Sequence, residues 1–257
     1  MKIKYFSDLH MEFGKFRLPD GDFQDTVLVL AGDIHVGMGA KPWILEILHQ
    51  FKAIIYVAGN HEFYNRNYGK LLKEWREFSD ETENFYFLER NSVIIDGFQF
   101  LGATLWTDMN KGDPMTKSIC DYSMNDYRQI RWIDGEGYNK RKAVYLNPNI
   151  TETIHKETVH WLDKQDWSVP TIVVTHHCPH EMFLNKDRYG TSEVDYAYYT
   201  ELSDYIKQWR PMAWIAGNTH KFVPEQLHET LMLSNPRGYV GYDLVKEFKP
   251  ELELSID

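Results

Sequence analysis

The stretch AIIYVAGNHE, from Ala53 to Glu62, indicates the fold of this chain. Its first six residues form a continuous apolar run, as expected of a β-strand that is buried on both faces. A glycine then turns the chain, and the polar residues Asn60, His61 and Glu62 follow directly. A buried strand that ends in potential metal ligands is typical of α/β sheets, which bind ligands at the carboxyl ends of their strands.

The same pattern occurs at four other strands predicted from apolar runs. In each case potential metal ligands follow the run directly: Asp8 and His10 after Lys2 to Phe6, Asp33 after Thr26 to Ala31, His176 with His177 after Thr171 to Thr175, and Asn218 with His220 after Met212 to Ala216. A single motif of this kind is common, whereas five in order are not expected by chance. We therefore expect the five loops to converge on one site.

The composition favours a compact domain in a reducing compartment. The chain has 257 residues, of which 43% are hydrophobic and two are cysteines. No stretch approaches the roughly 20 apolar residues that a membrane-spanning helix needs. We expect one domain over residues 1–257, no membrane association and a cytoplasmic location. The oligomeric state is left open.

The net charge of −10 bears on the partners of the protein. An acidic surface repels nucleic-acid backbones, so stable nucleic-acid binding is not expected. An anionic substrate is still compatible with it, because bound cations can reverse the local field.

Predicted strands alternate with predicted helices along most of the chain. The helices are expected at about 42–51, 68–78, 151–167 and 198–209, and Asp96-Gly97 predicts a hairpin turn. The stretch 105–146 is weakly periodic and is expected to be a cap or long connection with some helix. This alternation predicts an α/β protein with a mixed sheet.

The ligand set itself suggests a class of metal. Carboxylate, imidazole and amide oxygen together suit Mn, Fe or Zn better than Ca or Mg. The spacing of Asp8 and His10 lets both side chains reach one ion, and the two carboxylate oxygens of Asp33 can bridge two ions.

The motifs D-x-H, G-D, G-N-H-E, H and G-x-x-H resemble, in order and strand context, the calcineurin-like metallophosphoesterase superfamily. The resemblance spans Asp8 to His220, and MNDYR at 124–128 and SNPRGY at 234–239 are similar to bacterial and phage members. It implies a four-layer α/β/β/α sandwich around two mixed β-sheets. It also implies metal-dependent phosphoester hydrolysis by a two-metal site with a bridging hydroxide.

The resemblance assigns a role to each motif. It implies that Asp8, His10, Asp33 and His220 bind the first metal ion, and that Asp33 bridges to a second held by Asn60 and His176. The ions would be divalent Mn, Fe or Zn, with Ni possible. His61 would be the catalytic histidine, acting with Asp33.

Asn218 departs from the family pattern, which places histidine there as a further ligand of the second ion. Asparagine can offer its amide oxygen, but it is a weaker and harder ligand than imidazole. The second site is therefore expected to be weak, selective for a harder ion, or empty.

The expected substrate is a small nucleotide, a cyclic phosphodiester or a phosphomonoester. The alternatives are a protein phosphatase, a nuclease, or a binding protein whose turnover is impaired by Asn218. Beside Asn60 and His61, the candidate substrate contacts are His177, Arg128 and Arg237, although the two arginines could equally form local ion pairs. The aromatic residues Trp106, Tyr122, Tyr127 and Trp132 either stack a base or form the core of the cap. Glu62 either orients a histidine or is a solvated loop residue.

Overall fold

The computed structural model describes residues 1–134, 142–186 and 191–256. Its first sheet has five strands in the order β15-β1-β2-β3-β4. The strands β1 to β4 are parallel, and β15 pairs antiparallel with β1 at the edge. Their bounds are β1 Lys2–Phe6, β2 Thr26–Ala31, β3 Ala53–Val57, β4 Phe85–Phe87 and β15 Glu253–Ser255.

The second sheet has six strands in the order β11-β12-β10-β9-β6-β5. Its four central strands are parallel, and each edge strand is antiparallel to its neighbour. The bounds are β5 Asn91–Ile95, β6 Phe98–Ala103, β9 Thr171–Thr175, β10 Ala213–Ile215, β11 Val223–Leu227 and β12 Thr230–Ser234. Two small ribbons pair β7 Arg131–Ile133 with β8 Val144–Tyr145, and β13 Gly238–Tyr239 with β14 Asp243–Leu244.

The described helices flank the two sheets or belong to the segment between β6 and β9. They are α1 Lys41–Ile47, α2 Tyr68–Asp80, α3 Met109–Gly112, α4 Pro114–Ser123, α5 Asp126–Gln129, α6 Pro148–Asp163 and α7 Ser203–Trp209. Short 3-10 turns cover Leu48–Gln50, His61–Phe63, Glu181–Phe183 and Glu193–Ala197. No helix in the described part of the chain is both long and apolar enough to cross a bilayer.

Three apolar clusters define the layers. The central one joins the facing sides of the two sheets, where Val29 and Ile55 pack with Phe100 and Val174. A second cluster covers the outer face of the first sheet with α1 and α2, including Trp75. The third covers the outer face of the second sheet with α6 and α7, for example through Leu162, Ile206 and Trp214. The predicted four-layer sandwich around two mixed sheets is confirmed.

Local predictions differ mainly at helix ends. The hairpin at Asp96-Gly97 is confirmed, with both residues at positive φ as such a turn requires. The helix expected at 151–167 begins earlier, because the Asn147 side chain caps it before Pro148, and it ends at Asp163. The helix expected to begin at Tyr198 begins only at Ser203. Part of the predicted cap, residues 135–141, lies outside the described residues.

Candidate metal centre

The five strand-end loops meet at one edge of the sandwich. Because β1, β2 and β3 are parallel, as are β9 and β10, their carboxyl ends lie side by side. The potential ligands form groups whose donor atoms lie within 4.8 Å of one another: Asp8 with His10 and His220, His10 with Asp33 and His61, and Asp8 with Asp33 and His176. The convergence expected from the sequence is therefore present.

Two glycines allow this close approach. A Cβ on Gly32, which has a φ of +83°, would lie 2.3 Å from the Nδ1 atom of His176. A Cβ on Gly59 would lie 2.1 Å from the Oδ1 atom of Asp33. Any side chain at either position would displace a candidate ligand.

The first group of ligands is almost fully buried. The Nε2 atoms of His10 and His220 lie 3.1 Å apart, and Oδ1 of Asp8 lies 3.5 Å from Nε2 of His220. The backbone N–H of Asn218 donates to the carboxylate of Asp8 at 3.0 and 3.1 Å and so fixes its orientation.

The second group lies on the other side of Asp33. The Oδ1 atom of Asp33 is 3.4 Å from Nε2 of His176, and its Oδ2 atom is 3.8 Å from Nε2 of His10. The Oδ1 atom of Asn60 is 3.0 Å from Nε2 of His176. The carboxylate of Asp33 thus has one oxygen toward each group, as a bridging ligand requires.

The hydrogen bonds around these side chains leave donor atoms that suit a metal ion. Nδ1 of His10 faces a carboxylate oxygen of Glu12 at 3.2 Å, and Nδ1 of His176 faces the carbonyl oxygen of Ala31 at 3.0 Å. In the neutral imidazole with its hydrogen on Nδ1, Nε2 is the atom that can bind a metal ion. Nε2 of His10 lies 3.1 Å from Nε2 of His220, and Nε2 of His176 lies 3.0 Å from Oδ1 of Asn60, so further donor atoms lie close to each. The donor set thus fits divalent metal ions.

Asp33 carries negative charge in this cluster. Burial raises the pKa of its carboxyl group, but the neighbouring rings of His176 and His61 outweigh this effect and hold the pKa well below its ordinary value.

Asn218 lines the cavity, and its backbone N–H donates to Asp8 of the first group. Its Nδ2 atom lies 3.5 Å from the carbonyl oxygen of Tyr198, so the amide nitrogen is turned toward the neighbouring loop.

Several candidate ligands have a left-handed backbone, which non-glycine residues seldom adopt. The φ angles are 50° at Asp8, 43° at His10, 54° at Asp33, 73° at Asn218 and 50° at His220. Such conformations cluster at functional sites because the surrounding structure has to impose them.

Glu62 holds two of the loops together. Its buried carboxylate accepts hydrogen bonds from the backbone N–H groups of Asp33, Ile34 and Gly59 at 2.7 to 3.0 Å, and from the Tyr56 hydroxyl at 2.7 Å. The suggestions that it is solvated or accepts from a histidine are corrected: its acceptor capacity is used by backbone and tyrosine.

His61 lies at the edge of the candidate metal centre and faces the cavity. Its Nδ1 atom is 3.1 Å from Oε1 of Glu12, and its Nε2 atom is 3.2 Å from the hydroxyl of Tyr239. Burial lowers the pKa of this imidazole, but the carboxylates of Asp33 and Glu12 outweigh burial and raise the pKa to about 9.

A cavity of about 740 Å³ opens above the centre. Its floor contains Asp33, Asn60, His61 and His220. Its walls come from the segment between β6 and β9, from the loop that includes Tyr198, and from the aromatic side chains Phe13, Tyr64 and Tyr239.

His177 does not line this cavity. It is buried, its Nδ1 atom is 3.2 Å from the carbonyl oxygen of Thr104, and its ring packs 4.8 Å from that of Trp106. The expectation that it contacts substrate is corrected, because it points away from its neighbour His176 into the protein interior.

The two arginines expected near substrate also lie elsewhere. Arg128 packs its guanidinium 5.8 Å from the ring of Tyr122 and is not among the cavity-lining residues. Arg237 donates to three backbone carbonyl oxygens, those of Leu9, Gly14 and Lys15, at 3.2, 2.8 and 2.9 Å. The structure corrects both assignments, because neither guanidinium faces the candidate metal centre.

The four aromatic residues considered for base stacking do not line the cavity either. Trp106 and Tyr127 are buried, whereas Tyr122 is 82% exposed and Trp132 packs on Tyr68.

Neither Glu12 nor Asp126 was predicted from the sequence as a site residue. Glu12 contacts two histidines, and its position two residues after His10 offered a weak signal. Asp126, inside the MNDYR motif, accepts from Nδ2 of Asn60 at 2.9 Å and from the hydroxyl of Tyr64 at 2.8 Å. These bonds orient the amide of Asn60 so that its oxygen faces His176.

Comparison with known proteins agrees with this geometry. Residues 1–222 match the family model described as calcineurin-like phosphoesterase, and the chain belongs to that family. It is therefore a member of a phosphoesterase family with histidine and aspartate groups able to hold a metal ion.

Three known proteins match this chain over nearly its whole length. Uncharacterized protein L509 of Acanthamoeba polyphaga mimivirus is 28% identical over 286 residues, which cover 99% of this chain and 96% of the relative. The crystal structure of phosphopantetheinyl hydrolase from Mycobacterium tuberculosis superimposes with a TM-score of 0.71 at 18% identity, covering 93% of this chain and 89% of that one. A putative 5'-nucleotidase from Staphylococcus aureus matches with a TM-score of 0.47 at 12% identity, over 93% of this chain and 49% of that chain.

Proposed function

We propose that this protein hydrolyses a small phosphoester with the help of two divalent transition-metal ions. The observation that carries this proposal is the position of Asp33, whose two carboxylate oxygens face separate ligand groups on the floor of a cavity. Cations held a few ångströms apart by a shared carboxylate are a recurring arrangement for phosphoryl chemistry.

The residues divide into two ligand sets. Asp8, His10, Asp33 and His220 would hold one ion, and Asp33 with Asn60 and His176 would hold the other. Bound ions would supply Lewis-acid polarisation of the phosphate oxygens and activation of water as the nucleophile.

His61 supplies a proton at the leaving oxygen in this proposal. Its Nδ1–H is held by Glu12, so Nε2 is the atom that faces the cavity beside the Tyr239 hydroxyl. A positioned imidazole of this kind contributes a factor of about 100 to 10,000 in rate.

The size and the lining of the cavity favour a small substrate rather than a polymer. About 740 Å³ is a volume typical of small-molecule sites, and among its described lining residues there is no lysine or arginine to follow a nucleic-acid backbone. A nucleotide, a cyclic phosphodiester or a phosphomonoester meets this description. The structural similarity to a phosphopantetheinyl hydrolase adds phosphopantetheinyl esters to the candidates to be tested.

The test combines metal analysis with a substrate panel. The purified protein is analysed for bound metals, reconstituted with Mn, Fe, Zn or Ni, and assayed on aryl and alkyl mono- and diesters, cyclic nucleotides and a phosphopantetheinyl ester. We expect nearly two ions per chain and hydrolysis of at least one class, which Asp33→Ala removes. Absence of metal and of hydrolysis under all these conditions would contradict the proposal and favour a binding protein. A phosphopeptide and single-stranded DNA in the panel separate the protein phosphatase and nuclease alternatives.

A further inference from the structure

Glu12 contacts both a candidate metal ligand and the candidate proton donor through one carboxylate oxygen. Its Oε1 atom lies 3.2 Å from Nδ1 of His10 and 3.1 Å from Nδ1 of His61. The rings of the two histidines are in edge contact, with centroids 4.5 Å apart. A single oxygen atom therefore fixes the relative positions of the two imidazoles.

The protonation pattern around Glu12 has one consistent solution. An ionised carboxylate only accepts hydrogen bonds, so both imidazoles carry hydrogen on Nδ1. Nε2 of His10 then points at His220, and Nε2 of His61 points into the cavity. Glu12 thereby selects the ring orientation and the tautomer that each histidine needs for its task.

Glu12 uses its two carboxylate oxygens differently. Its second oxygen, Oε2, has no hydrogen-bond partner within the described part of the structure, whereas Oε1 contacts both histidines. Glu12 also lines the cavity above the candidate metal centre. A carboxylate placed in this way is suited to orienting the two imidazoles.

We infer that Glu12 is the positioning residue for His61 and couples the proton donor to the first metal site. This inference rests on the proposed function. In the reaction, a water oxygen bonds to phosphorus as the bond from phosphorus to the leaving oxygen breaks. The proton on Nε2 of His61 passes to that oxygen to give an alcohol, and the imidazole regains a proton from the water that attacked.

The inference has a consequence for substrate structure. A nitrophenolate leaves without much help from an acid, whereas an alkoxide needs a proton as it departs. Misplacing His61 should therefore slow alkyl esters much more than nitrophenyl esters. Loss of a metal ligand would instead slow the hydrolysis of both classes of ester, because the metal ions act on the phosphoryl group that the two classes share.

The experiment compares Glu12→Gln with the wild type on a matched pair of nitrophenyl and alkyl esters. The control is Glu46→Gln, the same change at an exposed position on α1 outside the lining of the cavity. We expect kcat for the alkyl ester to fall by about 30- to 100-fold, kcat for the nitrophenyl ester by less than about threefold, and KM to change little. With metal in excess, the metal content should equal that of the control, because Glu12 supports His10 without being a ligand itself.

A double variant tests the coupling directly. Because Glu12 acts through His61, the variant with both Glu12→Gln and His61→Asn should hydrolyse the alkyl ester no more slowly than His61→Asn alone. Additive losses, an equal loss on both esters, or loss of bound metal in Glu12→Gln would overturn the inference. A wild type without activity on any ester would instead contradict the proposed function itself.

Discussion

The Oδ1 atom of Asn60 lies 3.0 Å from Nε2 of His176, and both atoms belong to the second group of candidate ligands. Nδ1 of His176 is hydrogen-bonded to the carbonyl oxygen of Ala31, and Nδ2 of Asn60 donates to the carboxylate of Asp126. These other hydrogen bonds hold the amide oxygen of Asn60 and Nε2 of His176 side by side, where both can bind one cation.

Metal ions should stabilise the folded protein through this relationship. At a free metal concentration 100 times Kd, binding adds about 2.7 kcal/mol to the free energy of unfolding. We expect Mn or Zn to raise the melting temperature of the wild type measured by calorimetry, and EDTA to reverse the change. In Asp33→Ala both ligand groups lose their shared carboxylate, so the same titration should produce no shift and elemental analysis should find neither ion. A metal-dependent shift retained in this variant would refute the bridging role of Asp33.

Asp126→Asn should weaken the second metal site from outside the ligand set. The wild-type carboxylate can only accept, so it holds the amide nitrogen of Asn60 and leaves the amide oxygen toward His176. An asparagine at 126 can also donate, which allows the amide of Asn60 to turn over. Loss of such supporting contacts typically costs about 10- to 100-fold in metal affinity. Isothermal titration should show a weaker second binding event and an unchanged first one; Asp121→Asn, on the exposed side of α4, serves as the control.

Asn218→His should strengthen the second site. Imidazole is a better ligand than an amide oxygen for Zn, Cu, Fe and Ni, and Asn218 lines the cavity above the candidate metal centre. We expect the affinity for the second Zn ion to rise by about tenfold or more, which corresponds to about 1.4 kcal/mol. Competition with a chelating dye measures this change. A lower affinity for the second ion in Asn218→His than in the wild type would mean that the asparagine itself serves as a ligand of that ion.

Arg237→Ala should reduce stability, whereas Arg128→Ala should have little effect. The guanidinium of Arg237 donates to three carbonyl oxygens of the loop that carries His10 and Glu12, those of Leu9, Gly14 and Lys15. Hydrogen bonds to charged groups contribute about 1.5 to 3 kcal/mol each to stability, and less where, as at Lys15, the bond is exposed. We expect Arg237→Ala to lower the free energy of unfolding in urea by about 2 to 4 kcal/mol, and Arg128→Ala, whose side chain packs on an exposed tyrosine, by less than about 0.5 kcal/mol. Equal losses in the free energy of unfolding of the two variants would contradict this difference between Arg237 and Arg128.

Much of the ligand set could be predicted because its signals are local. Asp33 and Asn60 each follow a buried strand through a glycine, and the parallel strands then bring the two residues together. The difference between His176 and His177 could not be predicted, because the face on which each side chain lies depends on the backbone beyond the end of β9. The structure turns His177 onto Trp106, so only His176 enters the ligand group.

The contacts that the sequence did not reveal join distant parts of the chain. Glu12 contacts His61, which lies 49 positions away in the sequence, and Asp126 contacts Asn60, which lies 66 positions away. No periodicity or spacing links such pairs. The segment that contains Asp126 is also weakly periodic, so its short helices are determined by tertiary packing more than by local propensity.

The left-handed backbone of Asp8, His10, Asp33, Asn218 and His220 has a consequence for how the protein is made and kept. Each such residue costs roughly 1 to 3 kcal/mol, and the surrounding folded chain has to impose these conformations. It follows that these loops form only as parts of the whole sandwich, and that a short peptide copied from any one of them would not retain the conformation in which it presents its ligand.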